Sequence, residues 1–187
     1  DVILPARWGQ YLESVMARET DAGFVPPAFL DDFRVDAPGF GMIYPLSVEI
    51  AQDGRIDRPR RFWFEAAAHL LDAAHALGDI SLETGTDAGH RLSHTPRVII
   101  GGNGLSGPAF VDNAALRIWA HDAFDAQVLD MESAAVAHVA YANGTDFIAV
   151  RSVSDLAGGG ASSNEMATFM GLAATNSVRV VLALVAA

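Results

Sequence analysis

Val128 to Asp155 constrains this 187-residue chain more than any other stretch. Val128 to Asp130 closes an apolar strand, and Glu132 to Ala142 is a run of small residues that reads as a helix. Asn143-Gly144 stops that helix, with glycine where φ turns positive. Phe147 to Val150 reads as a second buried strand, which spills out at Arg151 to Asp155. A strand-helix-strand unit this short predicts a right-handed crossover between parallel strands. Asp130-Met131-Glu132 and Ser154-Asp155 then fall at the carboxyl edge of one sheet, where open α/β sheets bind ligands.

Composition narrows the function classes. Hydrophobic residues make up 51% of the chain, which fits a well-buried parallel sheet. No run reaches the roughly 18 apolar residues of a membrane helix, and Asn176, Ser177 and Arg179 interrupt the most apolar segment. A net charge of −11 argues against nucleic-acid and anionic-membrane partners. The chain has no cysteine, so disulfides and zinc-thiolate sites are excluded. It opens at Asp1-Val-Ile-Leu-Pro5, as a strand already under way. We expect it to be a piece of something longer.

Along the chain, Val2 to Leu4 is a short strand ended by Pro5. Trp8, Tyr11 and Leu12 form an aromatic cluster that either lines a pocket or packs down a loop. Pro26-Pro27, Pro38-Gly39 and Asp53-Gly54 punctuate a long excursion, with a short strand at Met42 to Leu46. Arg55, Arg58, Arg60 and Arg61 are a basic run that reads as a solvated loop rather than an anion site. Phe64 to Leu77 has helical spacing, with Leu70, Ala74 and Leu77 on one face and Gly78 as the stop. His69 and His75 lie six residues apart, which does not suit a shared metal. His90 and His94 sit in a polar loop without acidic or thiol partners. Met166, Phe169, Met170 and Ala173 mark the inner face of a long last helix, which Ser162 and Glu165 would open with capping-box spacing. Leu156 to Ser163 is a glycine-rich loop placed to act as a lid beside Asp155.

Gly102, Gly104 and Gly107 satisfy the G-x-G-x-x-G pattern after a strand at Arg97 to Gly101, and an acid follows about 20 residues later. Two details count against dinucleotide binding. The helix starts late, because Pro108 and the Asp112-Asn113 cap stand before it, so its N-terminus is not inside the glycine pattern. Asp130 also opens Asp-Met-Glu-Ser, which adds a second carboxylate in the first helical turn.

If a nucleoside lies along this edge, the residue types suit cleavage of its N-glycosidic bond. That cleavage builds positive charge on the sugar and negative charge on the departing base. Asp155, oriented by Ser154, can protonate or hydrogen-bond a ring nitrogen. Glu132 can hold the ribose hydroxyls and favour a cationic sugar, and Phe110 can stack on the base. Structural readings compete at each position: an Asp after a strand as a turn residue, a Glu favoured by the helix dipole, and a Phe in the core.

Asp130-Met131-Glu132-Ser-Ala-Ala with Phe147-Ile-Ala-Val-Arg-Ser-Val-Ser-Asp155 resembles the nucleoside phosphorylase/nucleosidase superfamily, 5′-methylthioadenosine/S-adenosylhomocysteine nucleosidases in particular. Ser106-Gly-Pro-Ala-Phe110-Val111 is similar to their Ser-Gly-Asp-Ala-Phe-Ile segment, with Pro108 in place of the Asp. Phe110-Val-Asp-Asn, Asp130-Met-Glu-Ser-Ala-Ala-Val-Ala and Ser154-Asp-Leu-Ala-Gly-Gly-Gly resemble the plant bark and vegetative storage proteins and their bacterial relatives even more. The likeness is strongest from about Ile99 onward.

The resemblance implies a three-layer α/β fold with a mixed central sheet flanked by helices. Residues 1–187 would form a single, partial domain lacking the N-terminal strands, which in the family carry the phosphate-binding or water-activating residues. It implies catalytic roles for Asp155 and Ser154, ribose contacts from Met131 and Glu132, and base contacts from Phe110, Val111 and Ser106. No metal or organic cofactor is implied, and inorganic phosphate would be co-substrate in a phosphorylase. The expected partner is a small purine nucleoside, of adenine type, bound by a homo-oligomer (dimer, trimer or hexamer). Hydrolysis and phosphorolysis both stay open, as does a storage protein that kept the pocket without turnover. Cytoplasmic and exported locations both fit.

Overall fold

The computed structural model describes residues 1–11, 13–159 and 164–187. The central strands are β1 (Val2–Leu4), β2 (Arg7–Gln10), β3 (Trp63–Glu65), β4 (Val98–Ile100), β5 (Asn103–Ser106), β6 (Ala126–Asp130) and β7 (Arg151–Ser152). The helices are α1 (Ala68–His75), α2 (Ala114–Phe124), α3 (Ser133–Ala142) and α4 (Met166–Ala186). The excursion between β2 and β3 folds into two-stranded ribbons, one of which includes Ile43–Pro45.

The strands form two runs, β4-β1-β7 and β6-β5-β2-β3. β1 and β4 are parallel, as are β2, β5 and β6, while β7 and β3 are antiparallel to their neighbours. The two runs meet where the chain bends between β1 and β2 and between β4 and β5. Across that bend Gly101 N–H donates to Leu4 O and Ala6 N–H to Gly102 O, both at 2.9 Å. Gly101 and Gly102 have φ of 102° and 73°, a backbone that side chains disfavour, so glycine makes the bend possible.

Alternation along β1 sets the layers. Val2 and Leu4 pack with Ala74 of α1 and Val180 of α4. Ile3 faces the other way, into a cluster with Trp8, Phe64, Val128 and the α3 residues Ala134 and Ala137. Leu105 joins Tyr11, Phe62 and the α2 residues Ala120 and Phe124 in a third cluster. The result is a mixed sheet with helices on both faces, as expected.

Several local expectations are corrected. The return after α3 is not a parallel strand over Phe147 to Val150. Among the described residues its only ladder is β7, which runs antiparallel to β1. The apolar run is extended and alternates, Phe147 and Ala149 toward one cluster and Ile148 and Val150 toward another, but alternation specifies burial and not the pairing partner. The helix expected over Phe64 to Leu77 begins as β3, where Phe64 pairs with Trp8 and is buried. Aromatic residues suit that half-buried pleat.

Trp8 and Tyr11 belong to the core and not to a pocket wall; Leu12 lies outside the described residues, as do Ser162 of the expected capping box and residues 160–163 of the expected lid. On α4 the inner stripe runs through Leu172, Asn176 and Val180, while Met170 is exposed. At 21 residues α4 is long and apolar enough to cross a membrane by length and composition. In this fold its polar residues dock it onto the segment after α1. Asn176 receives Glu83 N–H at 2.7 Å and donates to Glu83 O at 3.0 Å, and Arg179 donates to Ser81 O. The basic run is solvated, as expected: Arg55, Arg58 and Arg60 are exposed, Arg55 pairing with Asp57 and Arg60 lying over Phe33, and Arg61 alone of the four is half-buried, over Tyr141.

Candidate active site

A cleft of about 770 Å³ opens where β6 ends and where the chain leaves β7. Phe110, Val111, Met131, Glu132, Ser154 and Asp155 all line it. The structure thus brings together residues that the sequence spaces over 45 positions. Phe110 and Met131 offer exposed apolar surface, 56% and 43% accessible, rather than filling the core. An aromatic ring left in the open at a cleft wall is available to a planar ligand.

Asp155 is held from both sides. Ser154 Oγ donates to its Oδ1 at 2.8 Å, and Asn164 Nδ2 donates to its Oδ2 at 2.9 Å. Asn164 Nδ2 also reaches Asp112 Oδ1 at 3.2 Å, which receives Gly158 N–H at 2.9 Å. The Asn164 amide first, and the Gly158 N–H second, hold the Asp112 carboxyl below the ordinary carboxylate range. Asn113, and not Asp112, caps α2, accepting Leu116 N–H at 2.8 Å.

Ser106 stands apart from the other six expected site residues. It is fully buried, does not line the cleft, and its hydroxyl is committed inward. Its Oγ donates to Asp130 Oδ1 at 2.5 Å and accepts Ala134 N–H at 2.8 Å. Asp130 is in turn a hub at the start of α3. Its Oδ1 receives the backbone N–H groups of Glu132 and Ser133 at 3.3 Å, and Arg151 lies 2.7 Å from its Oδ2. Free N–H groups at a helix start favour a carboxylate there.

Sequence reasoning passed over Arg151 and Asn164 as site residues. Arg151 donates from Nε to Ser133 Oγ at 2.8 Å, and its terminal nitrogen reaches both Asp130 and, at 3.3 Å, Glu132. It therefore ties Glu132 to the neck of the loop that carries Asp155. No local spacing links Arg151 to Glu132. The only signal was an arginine placed just where the second strand leaves the sheet.

The glycine pattern has a packing explanation. A Cβ on Gly104 would fall 2.6 Å from the Trp8 ring, and one on Gly107 would collide with the Tyr11 ring. α2 begins at Ala114, well past the pattern. Among the described residues no group of three or more His, Asp or Glu side chains could hold a metal. His69 lies near Asp146 and His94 near Asp1, as separate pairs.

A profile of the phosphorylase superfamily matches residues 24–186. The chain belongs to that superfamily. Among solved structures, the 5′-methylthioadenosine/S-adenosylhomocysteine nucleosidase from Neisseria meningitidis, in complex with methylthio-immucillin-A, superposes with a TM-score of 0.59 at 19% identity, over 99% of this chain and 61% of that one. Futalosine hydrolase of Helicobacter pylori strain 26695 gives 0.60 at 19% identity, over 99% and 59%. The 5′-methylthioadenosine/S-adenosylhomocysteine nucleosidase from Colwellia psychrerythraea 34H, in complex with adenine, gives 0.58 at 19% identity, over 98% and 58%. The superfamily chain described here spans about three-fifths of the length of these structures. No curated protein sequence matches it.

Proposed function

We propose that this chain carries the base- and ribose-binding part of an enzyme that cleaves the N-ribosidic bond of purine nucleosides, adenine types such as 5′-methylthioadenosine foremost. The observation that carries the reading is that Asp155, Glu132, Met131 and Phe110 share one cleft. In this reading a protonated Asp155 gives its proton to a ring nitrogen of the base as the bond to the ribose carbon breaks. Ser154 and Asn164 fix the direction in which the carboxyl presents that proton. The bonding electrons leave with the base, and the positive charge on the sugar is met by Glu132, whose carboxylate also holds the ribose hydroxyls. Water or phosphate then adds to the ribose carbon. Phe110 and Val111 hold the base, and Met131 packs on the ribose. No metal or organic cofactor enters, and a homo-oligomer is the working form.

The test is release of free base from 5′-methylthioadenosine, S-adenosylhomocysteine, adenosine and inosine, with and without phosphate. Release without phosphate identifies a nucleosidase, and release only with phosphate a phosphorylase. Tight nucleoside binding with no release under either condition would replace this reading with that of a binding or storage protein.

A further inference from the structure

Two arginines line the cleft, Arg117 and Arg151. Arg151 is consumed by Asp130, Glu132 and Ser133. Arg117, on α2, is half-buried, and its Nε is closed off from solvent without a hydrogen-bond partner among the described residues. None of the ion pairs among the described residues includes it. Arginine is seldom held in a wall of this kind unless a partner meets it. The carboxylates of the cleft nearest in role are already engaged, Asp130 and Glu132 by Arg151 and Asp155 by Ser154 and Asn164. Asp122 is the acid on the same wall, and it is exposed.

His121 sits one helical turn beyond Arg117, on the same face of α2, and also lines the cleft. The chain as a whole has a charge of −11, which repels anionic ligands, so a place for one must carry its own cation. A guanidinium fork takes two oxygens of a carboxylate or phosphate at once, and an imidazole N–H adds a further donor.

We propose that Arg117 and His121 form an oxyanion subsite, which takes a carboxylate or phosphate group carried by the nucleoside. The inference rests on the nucleoside-cleaving reading above and deepens it, from a neutral nucleoside to one with an acidic substituent. Free inorganic phosphate shares this chemistry, and the test separates the two sources.

Base release is measured on pairs of adenosine derivatives that differ only in a carboxylate, placed on the 5′ substituent in one pair and on the exocyclic nitrogen of the base in the other. Arg117→Gln should lower the ratio of kcat/KM for the acidic over the neutral member about 30-fold or more in one pair. Arg117→Lys keeps the charge without the fork and should recover part of that ratio; it also stands in for Arg117→Gln if that variant fails to fold. A fall in affinity for inorganic phosphate, with both ratios unchanged, assigns the subsite to the free ion. Ratios and phosphate affinity all unchanged overturn the proposal. If no nucleoside releases base, the cleavage reading fails by itself, and titration calorimetry of the full chain with the acidic nucleosides and with inorganic phosphate decides the subsite. Binding weakened about 30-fold in either Arg117 variant upholds it, and equal or absent binding overturns it.

Discussion

Asn164 turns its amide nitrogen toward Asp155, 2.9 Å from Oδ2, while its own Oδ1 accepts Met166 N–H at 2.8 Å at the start of α4. The orientation of the amide is therefore determined, since a flip would set an oxygen against two carboxylates, Asp155 and Asp112. On the reading proposed above, Asn164 is a positioning residue that acts through Asp155. Asn164→Ala should lower kcat about 10-fold, a fraction of the roughly 10²–10⁴ that a general acid–base residue contributes, with KM close to the parent value. Asn164→Asp should lower it further near neutral pH, because an ionised side chain there has no hydrogen to donate to Asp155 Oδ2 or Asp112 Oδ1, with activity partly recovered in acid, where a protonated one donates again. Steady-state base release across pH reads both, and a parent-like kcat in Asn164→Ala would remove Asn164 from the mechanism.

Asp155→Asn tests the acid itself. Loss of proton donation should cut turnover by around 10²-fold or more. The fold should survive, because Asp155 lies at the cleft wall and the amide keeps the Ser154 contact. Turnover within a few-fold of the parent, alongside a native far-UV spectrum, would reassign Asp155 to a structural turn.

Ser106→Ala separates two accounts of one residue. In the structure Ser106 serves Asp130 and Ala134 N–H from a fully buried position. Removing the hydroxyl leaves a buried N–H unpaired and should destabilise the chain by about 1–3 kcal/mol, seen as a lower urea midpoint. A base-contacting serine would instead raise KM and leave the midpoint where it was.

How much of this could be read in the residues depends on the range of the interaction. Apolar alternation in Val2 to Leu4, the Asn113 cap and the small residues of α3 are local, and they placed elements correctly. The cleft acids were legible because their types and spacing match a family pattern. Pairing direction was not, because Phe147 to Val150 alternates equally well beside a parallel or an antiparallel neighbour. Ser106 lies inside a matching string, yet a string does not tell which side of a strand end a hydroxyl faces. Arg151 and Asn164 act on carboxylates 19 to 21 and 9 to 52 positions away, across loops that carry no period. Arg117 falls on a helix face that looks like an ordinary solvated one until the cleft beside it is seen.

Arg151→Met should be costly to stability. Asp130 has a side chain only 10% accessible, and it would lose its cation while keeping its charge. A fully buried pair broken on one side loses about 3–5 kcal/mol. Arg151 is itself 36% accessible, so solvent screens part of that and about 2 kcal/mol is expected. Asp130→Asn in the same background should recover some of the loss, since the stranded charge is gone. Urea unfolding of the single and double variants measures this directly, and a double variant no more stable than Arg151→Met would rule out the stranded-charge account.

His138 gives the fold a defined sensitivity to acid. Its ring stacks on Phe64, with centroids 4.8 Å apart and planes 14° from parallel, on the buried side of α3. Burial pushes the imidazole below its usual value, and the Glu13 carboxylate offsets this only in part. The sign follows from linkage. The unfolded chain protonates first as pH falls through about 6.5, while the folded chain holds His138 neutral to lower pH. Stability is therefore at its full value above that point, declines as pH falls, and stops declining below the folded value. His138→Phe keeps the stack and removes the proton site, so the acid-side decline should be shallower than in the parent, with the two curves parallel above pH 7. Urea midpoints measured from pH 5 to pH 8 decide it. Identical curves across the whole range would mean that other groups account for the acid sensitivity.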